Sequence, residues 1–331
     1  MGISAALGSS ALLPAGLGFR NLLINGGFDV WQRGTSTAFV AVASTSFLAD
    51  RWSVYRGTTG ADATQSRISA GLDGFQYALR MQRNSGTTGT NKMYVGTSLE
   101  TSTTTKLANK PVVLSFYARA GSNYSSASNV LEVLLYSGTG TEANGVHVNF
   151  TSATSVVATS ATLTTSYQRF TYSGTMPATS SQLLVQLSFT PVGTAGAADY
   201  VDITGVQLEQ NYQPTPFEQR PIGVELELCQ RYYWKWVSAN SGDLIITVMQ
   251  PASSSFHLVV PLSVTMRTRP SSATLSGGWT VLNTSAAPTI YDRGTSWMVL
   301  QSSVNPGIGN TNQSGFYTQG GSSTLVQDAE L

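Results

Sequence analysis

Apolar side chains recur at every second residue along most of this chain, and that period decides what it can fold into. In Val112-Val113-Leu114-Ser115-Phe116-Tyr117-Ala118-Arg119, Leu114 and Phe116 face one way while Ser115, Tyr117 and Arg119 face the other. Similar short runs occur at 131–136, 146–150, 167–172, 183–189 and 200–208. Each is bounded by Gly, Ser, Asn or Pro clusters such as Ser137-Gly138-Thr139-Gly140 and Pro191-Val192-Gly193. Short strands with turn chemistry between them predict an all-β chain built on a jelly-roll β-sandwich. Helical periodicity is confined to 222–231, where Val224, Leu226, Leu228 and Cys229 follow Pro221. Pro214, Pro216 and Pro221 punctuate the chain just before it, which predicts a boundary. The expected organisation is a jelly roll over 20–219 and a second, smaller β-sandwich over 220–331, joined by the short helix. In that second block Tyr232, Trp234 and Trp236 share one face of an alternating run. Further strands are expected at 244–249, 256–262, 279–283 and 297–301, with one more at 315–319 among long loops in the Gly-, Asn- and Ser-rich stretch 305–321.

Charge narrows the function classes. Charged residues make up 11% of the 331 positions, against about 25% in ordinary soluble proteins. Eighteen Lys and Arg oppose 17 Asp and Glu, so the broad basic field needed to hold nucleic acid or an anionic membrane is missing. Ser, Thr and Gly take the place of Lys and Glu, which suits an extracellular or virion-surface protein better than a helical cytosolic enzyme. The single cysteine, Cys229, rules out an intrachain disulfide or a thiolate zinc cluster, and Leu226 and Leu228 beside it predict a buried thiol. Residues 1–19 lack a basic start, are interrupted by Gly8, Pro14 and Gly16, and are too short to span a bilayer. No membrane insertion is expected. The stretch reads as an attachment arm for a partner protein, with a frayed terminus as the alternative.

Two stretches carry a resemblance. Asn21-Leu22-Leu23-Ile24-Asn25-Gly26-Gly27-Phe28-Asp29-Val30-Trp31 resembles the opening strand of jelly-roll carbohydrate-binding modules, and Val201-Asp202-Ile203-Thr204-Gly205-Val206-Gln207-Leu208-Glu209 resembles their closing strand. More closely, Asp29-Val30-Trp31-Gln32-Arg33-Gly34, Ala49-Asp50-Arg51-Trp52, Thr215-Pro216-Phe217-Glu218-Gln219-Arg220 and Glu227-Leu228-Cys229-Gln230-Arg231-Tyr232-Tyr233 resemble tail-fibre and related virion proteins of tailed bacteriophages. The match covers 20–236; beyond it the likeness is the β-rich character and the ending Ala329-Glu330-Leu331. The resemblance implies a virion component, usually a homotrimer, assembled in the host cytoplasm and joined to other tail or baseplate proteins, here through residues 1–19. It also implies that Asp29 and Asp202 help hold a structural calcium, with no other cofactor required. Calcium takes six to eight oxygens, so two carboxylates are only a beginning. The alternative is that Asp29 caps a turn and Asp202 pairs with an arginine such as Arg20.

Sugar-binding modules stack pyranose rings on exposed aromatics. Candidates are Trp52, Tyr55, Tyr77, Tyr94 and Tyr117 in the first block and Trp234, Trp236, Trp279 and Trp297 in the second. Tyr117, Tyr55, Trp234 and Trp236 are the leading choices, Tyr117 because its neighbours Leu114 and Phe116 turn inward. Trp31 and Trp52 are assigned to packing, and Arg33, Asp50 and Arg51 to a structural ion-pair cluster. Tyr291-Asp292-Arg293-Gly294-Thr295-Ser296-Trp297 resembles part of a sialidase Asp-box and is read as a turn. No catalytic constellation is evident: His147 and His257 sit in no nucleophile or metal motif, and Glu225 and Glu227 fall on different faces of a helix. The expected function is non-enzymatic adhesion to host surface glycan as a tail-fibre or receptor-binding component. A ligand-free capsid-decorating or baseplate-bridging protein is the alternative, and a polysaccharide depolymerase the second.

Overall fold

The structure is a computed structural model that describes residues 19–39, 46–56, 63–141, 150–239, 244–249, 255–282, 287–303 and 313–330. Residues 1–18 of the predicted arm and 146–149 of a predicted strand lie outside them. The first half of the sandwich is built from β1 (Ser36–Ala38), β2 (Ser46–Phe47), β3 (Ser53–Arg56), β4 (Ala63–Leu72), β5 (Phe75–Arg83) and β6 (Met93–Leu99). A short helix, α1 (Thr101–Thr104), leads to β7 (Pro111–Ala120), β8 (Val130–Gly138), β9 (Thr154–Thr162), β10 (Gln168–Thr175), β11 (Gln182–Phe189) and β12 (Tyr200–Glu209). One antiparallel sheet runs β1-β4-β5-β12-β7-β10 and the other β2-β3-β6-β11-β8-β9. The chain is all-β, as the period predicts.

The core lies between these sheets. Leu114, Phe116 and Ala118 of β7 meet Val185 and Leu187 of β11 there, with Phe28 and Trp52 packed among them. Alternation alone would turn residues 201, 203, 205 and 207 of β12 the same way. A bulge between Thr204 and Gln207 shifts that register, so Val201, Ile203, Val206 and Leu208 all reach the core. Gly205 makes the bulge at φ +60, and a Cβ there would come within 2.7 Å of the Phe75 ring.

The stretch 21–31, expected as an opening strand, forms no strand. Asn25 and Phe28 have left-handed φ of 57 and 56, and the Asn25 amide donates to Val30 O at 2.8 Å and Asp50 O at 2.9 Å, holding a compact turn. The segment lies on β12 through Leu22 N–Leu208 O and Val206 N–Gly26 O, both 2.9 Å. Contact is so close that a Cβ on Gly26 would lie 2.0 Å from Val206 O.

After β12, residues 210–220 form a strap and α2 (Ile222–Gln230) follows, close to the predicted helix. Then come β13 (Tyr233–Val237), β14 (Leu244–Met249), β15 (Ser255–Pro261), β16 (Ser272–Leu282), β17 (Thr289–Arg293), β18 (Trp297–Ser303) and β19 (Gln313–Asp328). β13, β14 and β16 all pair with β19, and β15-β18-β17 form a second small sheet. Trp234 and Leu325 from one sheet meet Leu258, Val260, Met298 and Leu300 from the other in a shared core. The five-residue strand expected at 315–319 is in fact the sixteen-residue β19. Its glycines and serines have weak strand propensity, but neighbours on both edges take up its backbone groups and hold it extended. The Asp-box-like segment closes the β17–β18 hairpin, with Gly294 N donating to Trp297 O at 2.8 Å. Among the described residues no helix is long and apolar enough to cross a membrane.

Candidate functional site

Each sheet of the sandwich has an outer face, and the segment 210–220 lies over one of them. On the first sheet the outward side chains of β12 are polar yet buried: Asp202, Thr204, Gln207 and Glu209. The strap covers Gln207 and Glu209. Thr215 N and Oγ1 donate to the Glu209 carboxylate at 3.0 and 2.6 Å, and Glu218 N donates to Gln207 Oε1 at 2.7 Å. Glu218 in turn accepts from the backbone N–H groups of Arg20 and Asn21, both at 3.0 Å. Tyr117 does point outward, as expected from the pattern, but onto this covered face. Its ring lies 5.2 Å from Phe75, which lies 5.1 Å from Phe217 of the strap, and Arg169 sits over it while donating to Thr215 O. A sugar could stack there only by displacing the strap.

The strap bonds to the first sheet, and the second sheet presents its own outer face. Register places Tyr55 of β3 beside Tyr94 of β6, then Ser188 of β11 and Glu132 of β8, in one row across the strands. The next row holds Ser53, Gly96, Gln186 and Leu134. Tyr55 and Tyr94 are half-buried with ring centroids 5.7 Å apart and planes tilted by 51°. Gly96 contributes no side chain to that row. Gln186, on the side of β11 away from the core, is only 8% exposed. Lys92 forms an ion pair with Glu132 and lies 5.4 Å from the Tyr94 ring centre. Burial raises the Tyr94 phenol above its usual range, so it remains a hydrogen-bond donor at neutral pH. The face thus combines two aromatic rings with a carboxylate, an ammonium and an amide. Tyr55 and Tyr94 were among the expected aromatics. Lys92, Glu132 and Gln186 were not, because a polar residue within an alternating strand looks the same whether it faces bulk water or a groove.

The remaining expected site residues are dispersed. Trp234 is 5% exposed in the second core, its indole N–H donating to Ser263 Oγ at 3.0 Å, so it is a packing residue and no sugar platform. The period identified its face but not which side of the sheet would be covered. Trp236 is half-buried and lies 6.3 Å from Trp279. Asp202 is fully buried between two guanidinium groups, Arg80 at 2.7 and 2.9 Å and Arg119 at 2.9 Å. Both its oxygens are taken by cations, which does not fit a calcium ligand. An arginine pairing was the alternative, although with Arg80 and Arg119 where Arg20 was expected. Arg20 instead pairs with Glu218. Asp29 stands apart from Asp202, beside Glu225, and among the described residues no three His, Cys, Asp or Glu side chains gather as a metal site would need.

Asp29 carries a pH signature. Burial, with Glu225 nearby, pushes its carboxyl up to about 6 from 3.8. A raised carboxyl favours the protonated native state, so this group costs stability as pH rises from about 4 through 6, and the cost is complete above that. Asp29→Asn should therefore be more stable than the parent at pH 7.5, by ~1 kcal/mol after allowing for partial exposure, and equal to it near pH 3.5. Urea midpoints at both pH values check this. A variant less stable at pH 7.5 would show that the carboxylate makes a favourable contact.

The motifs read as resembling virion proteins converge elsewhere, on the junction between the sandwich and the C-terminal sheets. Arg33 pairs with Asp50 at 3.1 Å, with Glu330 at 3.2 Å and with Asp328 at 3.3 Å, and stacks 3.6 Å over the Tyr233 ring. Arg51 pairs with Glu330 and stacks 3.7 Å over Tyr232. Gln32 Nε2 donates to Tyr233 O at 2.7 Å, and Tyr232 OH donates to Glu100 at 2.6 Å. Arg220 binds Glu225 at 3.2 Å and Leu23 O at 3.2 Å. The expected ion-pair cluster at Arg33, Asp50 and Arg51 is present, and Cys229 is a buried free thiol whose pKa burial pushes up. Burial also lifts the Asp50 carboxyl to about 7 against the pull of Arg33.

No family model matches the sequence, and no curated protein matches it. Solved structures do. TmCBM61, solved in complex with β-1,4-galactotriose, is 15% identical with a TM-score of 0.34, over 58% of this chain and 100% of that one. The CBM22-1 xylan-binding domain of Xyn10C from Paenibacillus barcinonensis is 14% identical with a TM-score of 0.30, over 53% of this chain and 91% of that one. The enzymatically active domain of tailspike protein 4 from bacteriophage CBA120 is 8% identical with a TM-score of 0.33, over 58% of this chain and 22% of that one.

Proposed function

We propose that this chain is a non-enzymatic glycan-binding protein, with its ligand lying across the outer face of β3, β6, β11 and β8. We further propose that it serves as a bacteriophage tail-fibre or receptor-binding component adhering to host polysaccharide. The observation that carries the first reading is the Tyr55–Tyr94 ring pair on the outer face of β3 and β6, in one row with Glu132 and next to side-chain-free Gly96. Tilted rings offer apolar faces to the C–H side of a pyranose, while Glu132 and Lys92 can meet its hydroxyls. The virion reading rests on the motif resemblance and on the low charge. Weak sugar sites become useful when several copies are linked, since avidity adds roughly 10²–10⁴ without new contacts, and a homotrimer would supply that. Residues 1–19 would then seat the protein on its virion partners.

A second reading has its own support. The motifs resembling virion proteins form the junction and not the aromatic face, as expected of a capsid-decorating or baseplate-bridging spacer. One experiment separates them. Purified protein should retain host polysaccharide in affinity electrophoresis and block phage adsorption, and Tyr94→Ala, shown to be folded by circular dichroism, should weaken retention about 30-fold, near 2 kcal/mol. Equal retention by the two proteins would remove the aromatic face from the function. A protein that leaves adsorption untouched would support the spacer.

A further inference from the structure

A cavity of about 360 Å³ opens at the junction, away from the aromatic face, where the turn at 22–24, the end of β6, the α1 segment and α2 come together. Cations dominate its wall: Arg51, Lys106, Arg220 and Arg231, against the single acid Glu100. Most of that charge is already answered. Arg51 has Glu330, Arg220 has Glu218 and Glu225, and Arg231, still 41% exposed, has Glu100 at 3.3 Å. Against the upward pull of burial, the Tyr232 hydroxyl and Arg231 keep Glu100 below its usual range, so it stays ionised. Lys106 is exposed at the cavity edge, and no ion pair or hydrogen bond holds it among the described residues. One positive charge is therefore left over. Ser98 also lines the cavity, is 5% exposed, and has a buried hydroxyl with no hydrogen-bond partner. A buried hydroxyl left unpaired costs about 1–3 kcal/mol, which a ligand's polar group would relieve. Leu22 and Leu99 supply an apolar wall, and Ser102 and Thr103 further hydroxyls.

We propose that this cavity binds a carboxylated sugar residue, a hexuronate or a nonulosonate, as a second subsite distinct from the aromatic face. One unanswered cation suits a monoanion. The volume falls within the ~300–1,000 Å³ range of small-ligand pockets and is too roomy for a bare phosphate. A ring with several hydroxyls and an apolar edge uses the serine, the threonine and the leucines together, with the carboxylate placed between Lys106 and Arg231. An acidic host polysaccharide would then be held at two points, one reading the ring face and one reading the charge.

Ligand-observed NMR titrations of the full chain test this with glucuronate, N-acetylneuraminate, glucose and inorganic phosphate. One or both acidic sugars should bind with Kd on the order of millimolar, and glucose much more weakly. Lys106→Gln should weaken binding about tenfold and Ser98→Ala a few-fold. Neither side chain makes a structural bond, so Lys106→Gln should leave Tm unmoved and Ser98→Ala, which removes the unpaired hydroxyl, should not lower it. Tyr94→Ala should leave this titration unchanged, which separates failure here from failure of the aromatic site. Glucuronate competing against N-acetylneuraminate distinguishes the two sources of the carboxylate. The proposal is overturned if phosphate binds as tightly as the acidic sugars, or if Lys106→Gln and Ser98→Ala both titrate like the parent.

Discussion

Replacing Arg83 with methionine is expected to lower the stability of the sandwich by about 3–5 kcal/mol, with a fall in Tm of roughly 10 °C. Arg83 and Asp199 are both fully buried and pair at 2.9 Å. The same guanidinium donates to Ser125 Oγ at 3.0 Å and to the carbonyls of Thr87, Gly89 and Gly193 at 3.0, 3.0 and 2.9 Å. Methionine would fill the space but strip the buried Asp199 carboxylate of its cation, leaving it only Ser125 N at 3.0 Å, and remove the donor to Gly193 O, while Thr87 O keeps Ala195 N and Gly89 O keeps Arg56. Removing one partner of a buried pair is costly for that reason, whereas removing both is milder. The double variant Arg83→Met/Asp199→Asn should accordingly recover part of the loss. Chemical denaturation of the three proteins decides it, and a single variant within 1 kcal/mol of the parent would show that water reaches the site.

Glu330→Ala should loosen the C-terminal sheets from the sandwich, at a cost of about 3 kcal/mol. Its carboxylate touches both Arg33 and Arg51, and Arg51 is almost fully buried. Alanine leaves Arg51 with the Tyr232 ring and Ser98 O at 2.8 Å, which does not balance its charge. The expected result is an early thermal transition in which the near-ultraviolet signal of Trp234, Trp236, Trp279 and Trp297 is lost while the sandwich remains. Glu330→Gln, which keeps a hydrogen-bond acceptor, should show a smaller split. Coincident transitions at the parent temperature would remove the clamp role from Glu330.

What the sequence disclosed follows from which forces act locally. Alternation in β7 and β11 is set by the residues themselves, and the inward Leu114, Phe116, Val185 and Leu187 could be read directly. β9 was not legible, because its threonines and serines send only Val157 and Ala161 fully inward and sheet pairing supplies the rest. The left-handed turn at Asn25 was hidden for a related reason: it is fixed by Val30 and Asp50, and only the latter is distant in sequence. At the candidate site, the aromatic type of Tyr55 and Tyr94 was visible. That Tyr117 would be covered was not, since the cover is a strap that begins more than ninety residues later and is held by Glu209 and Gln207. A pattern of period two fixes two faces, but cannot say which of them another part of the chain will occupy.

The strand order has a consequence for synthesis. β12 is placed between β5 and β7, and β11 between β6 and β8, so the middle of each sheet is among its last pieces to leave the ribosome. At roughly 5–20 residues per second, the flanking half-sheets wait for several seconds with unpaired edges. With 11% charged residues the nascent chain has little electrostatic repulsion to keep such edges apart. Slow, late closure of this kind makes yield sensitive to growth temperature and to chaperone supply, and makes a chain cut before residue 200 an aggregate in waiting.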